Sequence, residues 1–355
     1  MHFIFNLRFS ALLPVCLILL LASSCNPSNE DVPLDDIQIQ FDSYRLDLEF
    51  LKAAREFEAS PATDSVAIYQ KYFADDRPFL TDWLFYGDTQ TASDSLLATI
   101  MAEFLSDSNT IPLLEDVAST FPPDGPDPIA PLEDFFKRFS YYFPDKAIPK
   151  VVAFADGFPP TIQAGLEQMF VSPRFLGIGL HYLLGPDYQH YPPDMPKYLR
   201  RRMAPEHLST TVAHRYADAM IPEPSVVDNP VLIDHIVHQG LQMVFVDKLL
   251  GPDVPDSTKF FYTAPQIDWA ITFEQRAYKD LVPVLYDLDA ELVRRYIDDS
   301  PFTSQLHRES APRLGQFIGW KIVLAYMEKH PEEELADLIL RRDFQAVFKA
   351  SGYRP

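Results

Sequence analysis

One apolar segment concentrates residues whose types could do chemistry: Asp234, His235, His238, Gln239 and Gln242. On a helix, positions three or four apart share a face, so His235 and His238 could serve a metal ion. A zinc-protease helix reads H-E-x-x-H, with two ligands one turn apart and a glutamate that activates the bound water. The matching stretch here is His238-Gln239-Gly240-Leu241-Gln242. It keeps histidine only at the first ligand position. Gln239 cannot act as a general base, and Gln242 is a poor zinc ligand. Glu274, one helix later, stands where a third ligand could sit. The plainer expectation is two partly buried histidines in a core, with no metal, no cofactor and no catalytic residue. The alternative is a zinc site made of His235, His238 and Glu274.

Other chemistry finds less support. His207 and His214 are seven apart and would share a helix face, as solvated or capping residues. His181 and His190 flank a Tyr-rich loop without ligand spacing. There is no G-x-S-x-G elbow, and the carboxylates are too numerous to pick out a glycosidase pair. Lys197, Arg200, Arg201 and Arg202 form the one basic cluster, with Tyr182, Tyr188, Tyr191 and Tyr198 around it. With 51 acidic residues in the chain, a salt-bridged structural corner is the plainer reading. A docking patch for an acidic or glycan-bearing partner is the alternative.

These residues must be positioned by a mostly helical chain. Apolar residues at helical spacing predict helices over 41–59, 64–73, 93–105, 111–121 and 132–142, then 205–220, 226–250, 265–277, 279–298, 315–330 and 334–350. The Pro-rich run 122–128 must be a loop. Lys150–Ala155 is the clearest strand, and Phe175–Leu180 a second, whose two glycines suggest an edge or a bulge. Leu-Leu-Gly-Pro-Asp occurs at 183–187 and at 249–253, a helix stop. Gly319-Trp320 opens an apolar helix that should pack against 226–250, with Gly315 and Gly319 permitting close approach. The expected fold is α+β, predominantly helical around a small sheet. It comprises a helical layer 41–145 and a sheet-plus-helix core 146–355 within one globular domain, 41–355.

Composition removes whole function classes. Among 355 residues, 30 basic and 51 acidic ones give a formal charge of −21. Such a surface repels phosphate backbones and excludes nucleic acid. The 12 glycines are about half the usual ~7% share. Neither G-x-x-x-x-G-K-[ST] nor G-x-G-x-x-G occurs, so nucleotide enzymes of those types are excluded.

The apolar run Ala11–Ala22 is 12 residues long, too short for a bilayer core that needs ~20. It suits the h-region of a signal peptide over 1–24. It ends in Ala22-Ser23-Ser24-Cys25, which resembles a bacterial lipobox that would leave Cys25 acylated. Cys16 departs with the leader, so no intrachain disulfide can form. Residues 25–40, acidic and Pro-containing, read as a flexible tether.

Several motifs occur in an order that resembles the gliding motility lipoprotein GldB family of Bacteroidetes. They are Gly179–Tyr188, Tyr198–Arg202, Tyr262-Thr263 through Trp269, Phe273-Glu274, Ser300–Thr303, Glu309–Arg313, Gly315–Trp320 and Ser351–Pro355. The likeness covers roughly 40–355 and is most specific after 170. It implies a lipid-anchored envelope protein, in the outer membrane, that contacts other gliding proteins or the associated type IX secretion machinery. It also implies a degenerate zincin-like architecture, a distant relative of H-E-x-x-H proteases. The family pattern has Gly then Lys where this chain has Gly240-Leu241-Gln242. Beside a non-enzymatic role, two alternatives stand: an active zinc metallopeptidase, and a glycan- or peptide-binding lipoprotein.

Overall fold

The computed structural model describes residues 32–60, 64–158, 169–226, 228–304 and 306–355. The expected leader, Cys25 and the first part of the expected tether lie outside the described residues. Residues 31–355 form one compact unit.

The chain enters through β1 (Ser43–Arg45), which runs directly into α1 (Leu46–Ala59). There follow α2 (Ser65–Tyr72), α3 (Arg77–Phe85), α4 (Asp94–Ser106), α5 (Thr110–Thr120) and α6 (Leu132–Tyr142). Asp64 and Ser93 cap α2 and α4 by accepting from the Val66 and Leu96 amides, contacts typically worth ~1 kcal/mol. Two elements differ from the sequence reading. The helix expected from residue 41 starts at Leu46, because Ser43–Arg45 pairs as a strand with Val151–Ala153. The unexpected α3 carries Pro78 in its first turn, where the missing N–H leaves no bond unmade, and it buries Phe79 and Leu80. The expected tether is also shorter than 25–40. Val32 is buried, a 3-10 turn at Leu34–Asp36 lies against α6, and Ile39 and Phe41 pack on the core. Apolar side chains hold this stretch to the domain.

The sheet is completed by β2 (Lys150–Phe154), β3 (Met169–Val171) and β4 (Phe175–Gly179), in the order β1-β2-β4-β3. β1, β2 and β4 run parallel, and β3 is antiparallel to β4. The edge or bulge expected for Phe175–Leu180 is therefore wrong, since β4 is interior. Gly177 is there for another reason. A Cβ on it would stand 3.1 Å from Phe154 and 3.2 Å from Phe79, so the glycine makes room for rings that meet edge to face.

The remaining helices are α7 (Lys197–Arg200), α8 (Leu208–Met220), α9 (Leu232–Leu250), α10 (Asp256–Lys259), α11 (Ala264–Thr272), α12 (Glu274–Leu281), α13 (Ala290–Ile297), α14 (Leu314–Lys329), α15 (Leu335–Leu338) and α16 (Phe344–Ser351). The expected helix 226–250 begins only at Leu232, after Pro230. The expected 265–277 breaks at Phe273, and 334–350 splits into α15 and α16. The expected 279–298 is not one helix. α12 gives way to a 3-10 turn holding Pro283, and the carbonyls of Leu285 and Asp287 accept from the Ile233 and Leu232 amides. That segment leaves the helical path to satisfy the open N–H groups at the start of α9.

The body is mostly helical, 56%, beside the small mixed sheet, which agrees with α+β. The division into a layer 41–145 and a core 146–355 is not physical. β1 belongs to the sheet, and α6 packs on α9. α9 is buried along most of its length, and α14 is its most extensive neighbour, as expected. A Cβ on Gly240 would overlap the Gly319 carbonyl, and one on Gly319 would overlap the Ile236 carbonyl. The two backbones touch there. Gly315 does a different task, facing Ile297 and Tyr296 of α13. Trp320 is buried edge-on to Phe260 at 5.3 Å. Its indole N–H has no hydrogen-bond partner, contrary to the usual pairing of a buried indole.

Candidate functional site

A polar cavity of about 610 Å³ opens between α8, α9 and the first turn of α14. α8 presents Thr211, His214, Arg215 and Asp218 to it, spaced i, i+3, i+4 and i+7 and therefore on one face. α9 adds Gln239 and Gln242, and α14 adds Gln316, with Arg313 at its N-cap. Arg202 after α7, and Asp298 and Asp299 after α13, complete the polar rim.

Three glutamines form a directed chain across the wall. Gln316 Nε2 donates to Gln239 Oε1 at 3.2 Å, Gln239 Nε2 to Gln242 Oε1 at 2.9 Å, and Gln242 Nε2 to Asp218 Oδ1 at 2.9 Å. The terminal carboxylate sets the direction, because an ionised Asp218 can only accept. Each amide must then turn its nitrogen towards the next oxygen. The chain leaves Gln316 Oε1 over. It is buried with no hydrogen-bond partner, on a residue only 2% exposed. Such a group normally costs ~1–3 kcal/mol if left unmet.

Charge is paired on the opposite wall. Both terminal nitrogens of Arg202 reach Asp299, at 2.9 and 2.5 Å, in the bidentate geometry that suits a guanidinium. Arg313 Nε lies 3.2 Å from the same carboxylate, and its Nη2 donates to the Phe260 carbonyl at 2.7 Å. Burial alone would push the Asp299 carboxyl up. Arg313 and Arg202 outweigh it and hold the group below its ordinary value. Burial, and then Arg202, push the Arg313 guanidinium down. His214 Nε2 sits 2.8 Å from the Lys259 carbonyl, which fixes the proton on that nitrogen. Burial first, then Arg313, push its pKa down to about 3, so the ring is neutral. Three arginines face three aspartates, and the cavity carries no net formal charge.

The backbone is strained at this wall and held there. Phe261 and Arg313 are non-glycine residues with φ of +54° and +46°, values that persist only where surroundings enforce them. Tyr262 hydroxyl donates to the Pro312 carbonyl at 2.6 Å, between the two. The Phe261 ring is already engaged, with His214 stacked at 5.0 Å and the Arg202 guanidinium at 5.1 Å.

The sequence-expected residues divide. Gln239, Gln242 and Arg202 meet in the cavity. His238 does not. It is buried, its ring is 6.1 Å from Phe344 of α16, and its pKa is pushed down to about 4 by burial and then by His235. Its Nε2 is buried without a hydrogen-bond partner. Glu274 accepts from the Tyr353 hydroxyl at 2.6 Å and so ties down the C-terminal segment. Asp234 caps α9 through the Val231 amide. Among the described residues, no group of three His, Cys, Asp or Glu is placed to hold a metal ion. His235, His238 and Glu274 are not brought together.

The basic cluster also separates. Arg202 turns to the cavity, and Arg200 reaches the Pro192 carbonyl at 3.2 Å. Tyr198 hydroxyl lies 3.4 Å from the Asp299 carbonyl. Lys197 and Arg201 stay exposed. His214 belongs to the site rather than to a solvated face. The signal was the polar stripe on α8, which reads from sequence as an ordinary wet helix face. Under the Tyr-rich loop, His181 is fully buried beside Asp156, 3.3 Å away, and burial pushes its pKa down to about 3.

A family model described as gliding motility protein GldB matches residues 27–355. No curated protein and no solved structure is significantly similar to the chain. Among the described residues, no helix is long and apolar enough to cross a membrane.

Proposed function

The chain belongs to the gliding motility protein GldB family, and from that membership we propose a lipid-anchored envelope protein that serves gliding by holding a partner in the α8–α9–α14 cavity. The family match over residues 27–355 carries this reading and gives the role in gliding motility. The family model's label as a lipoprotein and the lipobox-like Ala22-Ser23-Ser24-Cys25 support the anchor, with acylated Cys25 as the membrane attachment in the outer membrane. The partners are other gliding or type IX secretion proteins. Binding without catalysis is supported by the chemistry of the cavity wall. It offers amides, guanidinium–carboxylate pairs and a neutral imidazole, groups suited to recognition. In this reading 238–242 is a degenerate H-E-x-x-H helix in a zincin-like body, and its amides at 239 and 242 have become part of a binding wall.

The test is genetic. In a gliding host, Cys25→Ala should move the protein from the membrane to the soluble fraction and abolish gliding, since stable anchoring needs acyl chains. Gln239→Met with Gln242→Met should leave abundance normal and also abolish gliding. Normal gliding at normal abundance in the double variant would remove the cavity from the function. Stoichiometric zinc in the purified protein, lost in His238→Ala, would replace this reading with the metallopeptidase.

A further inference from the structure

We propose that the cavity binds an uncharged peptide segment, with Gln316 Oε1 accepting a backbone N–H and Arg202 Nε donating to a carbonyl. This deepens the binding role proposed above and rests on it.

Two unmet polar atoms of opposite sense belong to residues of facing walls. Gln316 Oε1 is an acceptor without a donor, and Arg202 Nε is a donor without an acceptor. A secondary amide carries both complements. The chain from Gln316 through Gln239 and Gln242 to Asp218 strengthens the first contact, because aligned amides polarise one another. Ligand charge is disfavoured. The three arginines and three aspartates cancel, Asp299 is already shared between Arg202 and Arg313, and His214 is neutral. At Arg202, Arg313 and Asp299 a carboxylate or an ammonium group would have to break an existing pair, whereas a neutral amide would not.

Apolar lining separates a peptide from an N-acetylated sugar, which also carries an amide. Met169, Leu199, Met203 and Ile297 line the cavity beside the amide chain. They suit aliphatic side chains, and methionine adapts to irregular ones. Sugars favour a free aromatic face. Phe261, the one benzene ring among the described lining residues, is engaged by His214 and Arg202. A volume of about 610 Å³ falls within the ~300–1,000 Å³ of small-ligand sites, which fits a short stretch of chain rather than a folded domain.

The probe is an equimolar pool of tetrapeptides built from Ala, Val, Leu, Ser and Thr, N-acetylated and C-amidated, titrated into the full-length protein in detergent. Saturable binding is expected at micromolar to millimolar concentration, at least ten-fold weaker in Gln316→Met at an unchanged melting temperature. Gln239→Met, which breaks the amide chain one step on, should weaken it as well and serves if Gln316→Met fails to fold. Free-terminus versions of the same pool should bind more weakly. Binding that is absent, or equal in wild type and both variants, overturns the proposal. So does preferential binding of the N-acetylglucosamine disaccharide, although that result leaves the cavity a binding site. Loss of peptide binding in variants that still glide would instead remove the cavity's role in gliding.

Discussion

The helix α14 has two sides that could hardly differ more. At Gly319 its backbone lies directly on α9, and around it Phe317, Ile318, Ile322 and Val323 are buried. One turn earlier, Gln316 faces a polar cavity with an oxygen that has no partner. On the packed side apolar side chains and backbone fill the space, and displacement meets backbone. On the wet side groups are oriented by hydrogen bonds, and one is left over. The same two helices thus supply a rigid base and, a turn away, a surface kept ready for something else. This is the arrangement expected of a site built on rigid elements.

The strongest test of that contrast is to disturb the packed side. Gly319→Val puts two methyl groups where the Ile236 carbonyl already lies. Overpacking usually costs ~1–3 kcal/mol, and here the neighbour is backbone, which cannot rotate away. The variant should fail to accumulate. Trp320→Ala should cost ~3–5 kcal/mol, the usual range for a large core aromatic, within a typical total of ~5–15 kcal/mol. Trp320→Phe should cost less, because it retains a ring against Phe260 and removes an N–H that has no acceptor. Denaturant unfolding of the three variants checks the order. A normally abundant Gly319→Val with an unchanged midpoint would show that the two helices are not in backbone contact.

That contact was legible in the sequence because it depends on residue type alone. Gly319 lacks a side chain, and the apolar surface of the helix expected over 315–330 extends too far round for a surface helix, although Gly315, read in the same way, faces α13 instead. The strands 150–154 and 175–179 were legible for a similar reason, as short runs of β-branched and apolar residues. Three kinds of feature were not. β4 was placed at an edge because its glycines look alike whether they end a sheet or lie under Phe79 and Phe154. The helix expected over 279–298 was broken by a demand from elsewhere, the open amides of Leu232 and Ile233. The cavity was hidden because its parts come from seven stretches between 169 and 316. Each polar residue there looks solvated on its own element. Gln239 and Gln242 were noticed only as failed zinc chemistry.

Acid should act next most strongly, through histidines held neutral by burial: His238 beside α16, His181 under the Tyr-rich loop and His214 in the cavity wall. His238 titrates at about 4 in the folded protein, against an unfolded value of ~6.5. Above that unfolded value both states are neutral, and His238 adds no pH dependence. As pH falls below it, the unfolded chain takes up a proton that the folded one refuses, and stability is lost down to the folded value. Between pH 7 and 4.5 this amounts to roughly 2 kcal/mol from His238 alone, at 1.36 kcal/mol per unit. His181 acts in the same direction and further into acid, with Asp156 as its only close carboxylate among the described ion pairs. Asp299, held low, also favours the fold at neutral pH, while Asp47 and Asp76, pushed up by burial, act in the opposite sense. The contribution of one histidine is therefore read as a difference. His238→Phe should lose less stability than wild type across that window. Parallel curves would show that His238 is as accessible to protons in the folded state as in the unfolded one.

The smallest effect on stability, and the sharpest test of the comparison, is expected four residues before Trp320. Gln316→Met keeps the length of the side chain and removes both of its polar ends. It deletes one 3.2 Å hydrogen bond to Gln239, of a kind worth ~0.5–1.5 kcal/mol net. It also deletes an oxygen whose burial without a partner opposes folding. The two terms have opposite signs, so the midpoint should move by less than ~1 kcal/mol. Gln239 Oε1, on a half-buried residue at the cavity wall, can take water in exchange. Differential denaturation of Gln316→Met and Trp320→Ala side by side gives the answer. If Gln316→Met falls as far as Trp320→Ala, the amide chain is a structural strut and both sides of α14 belong to the core. If it melts with wild type, the unmet oxygen is not there for the fold, and the cavity is the place to look for what it meets.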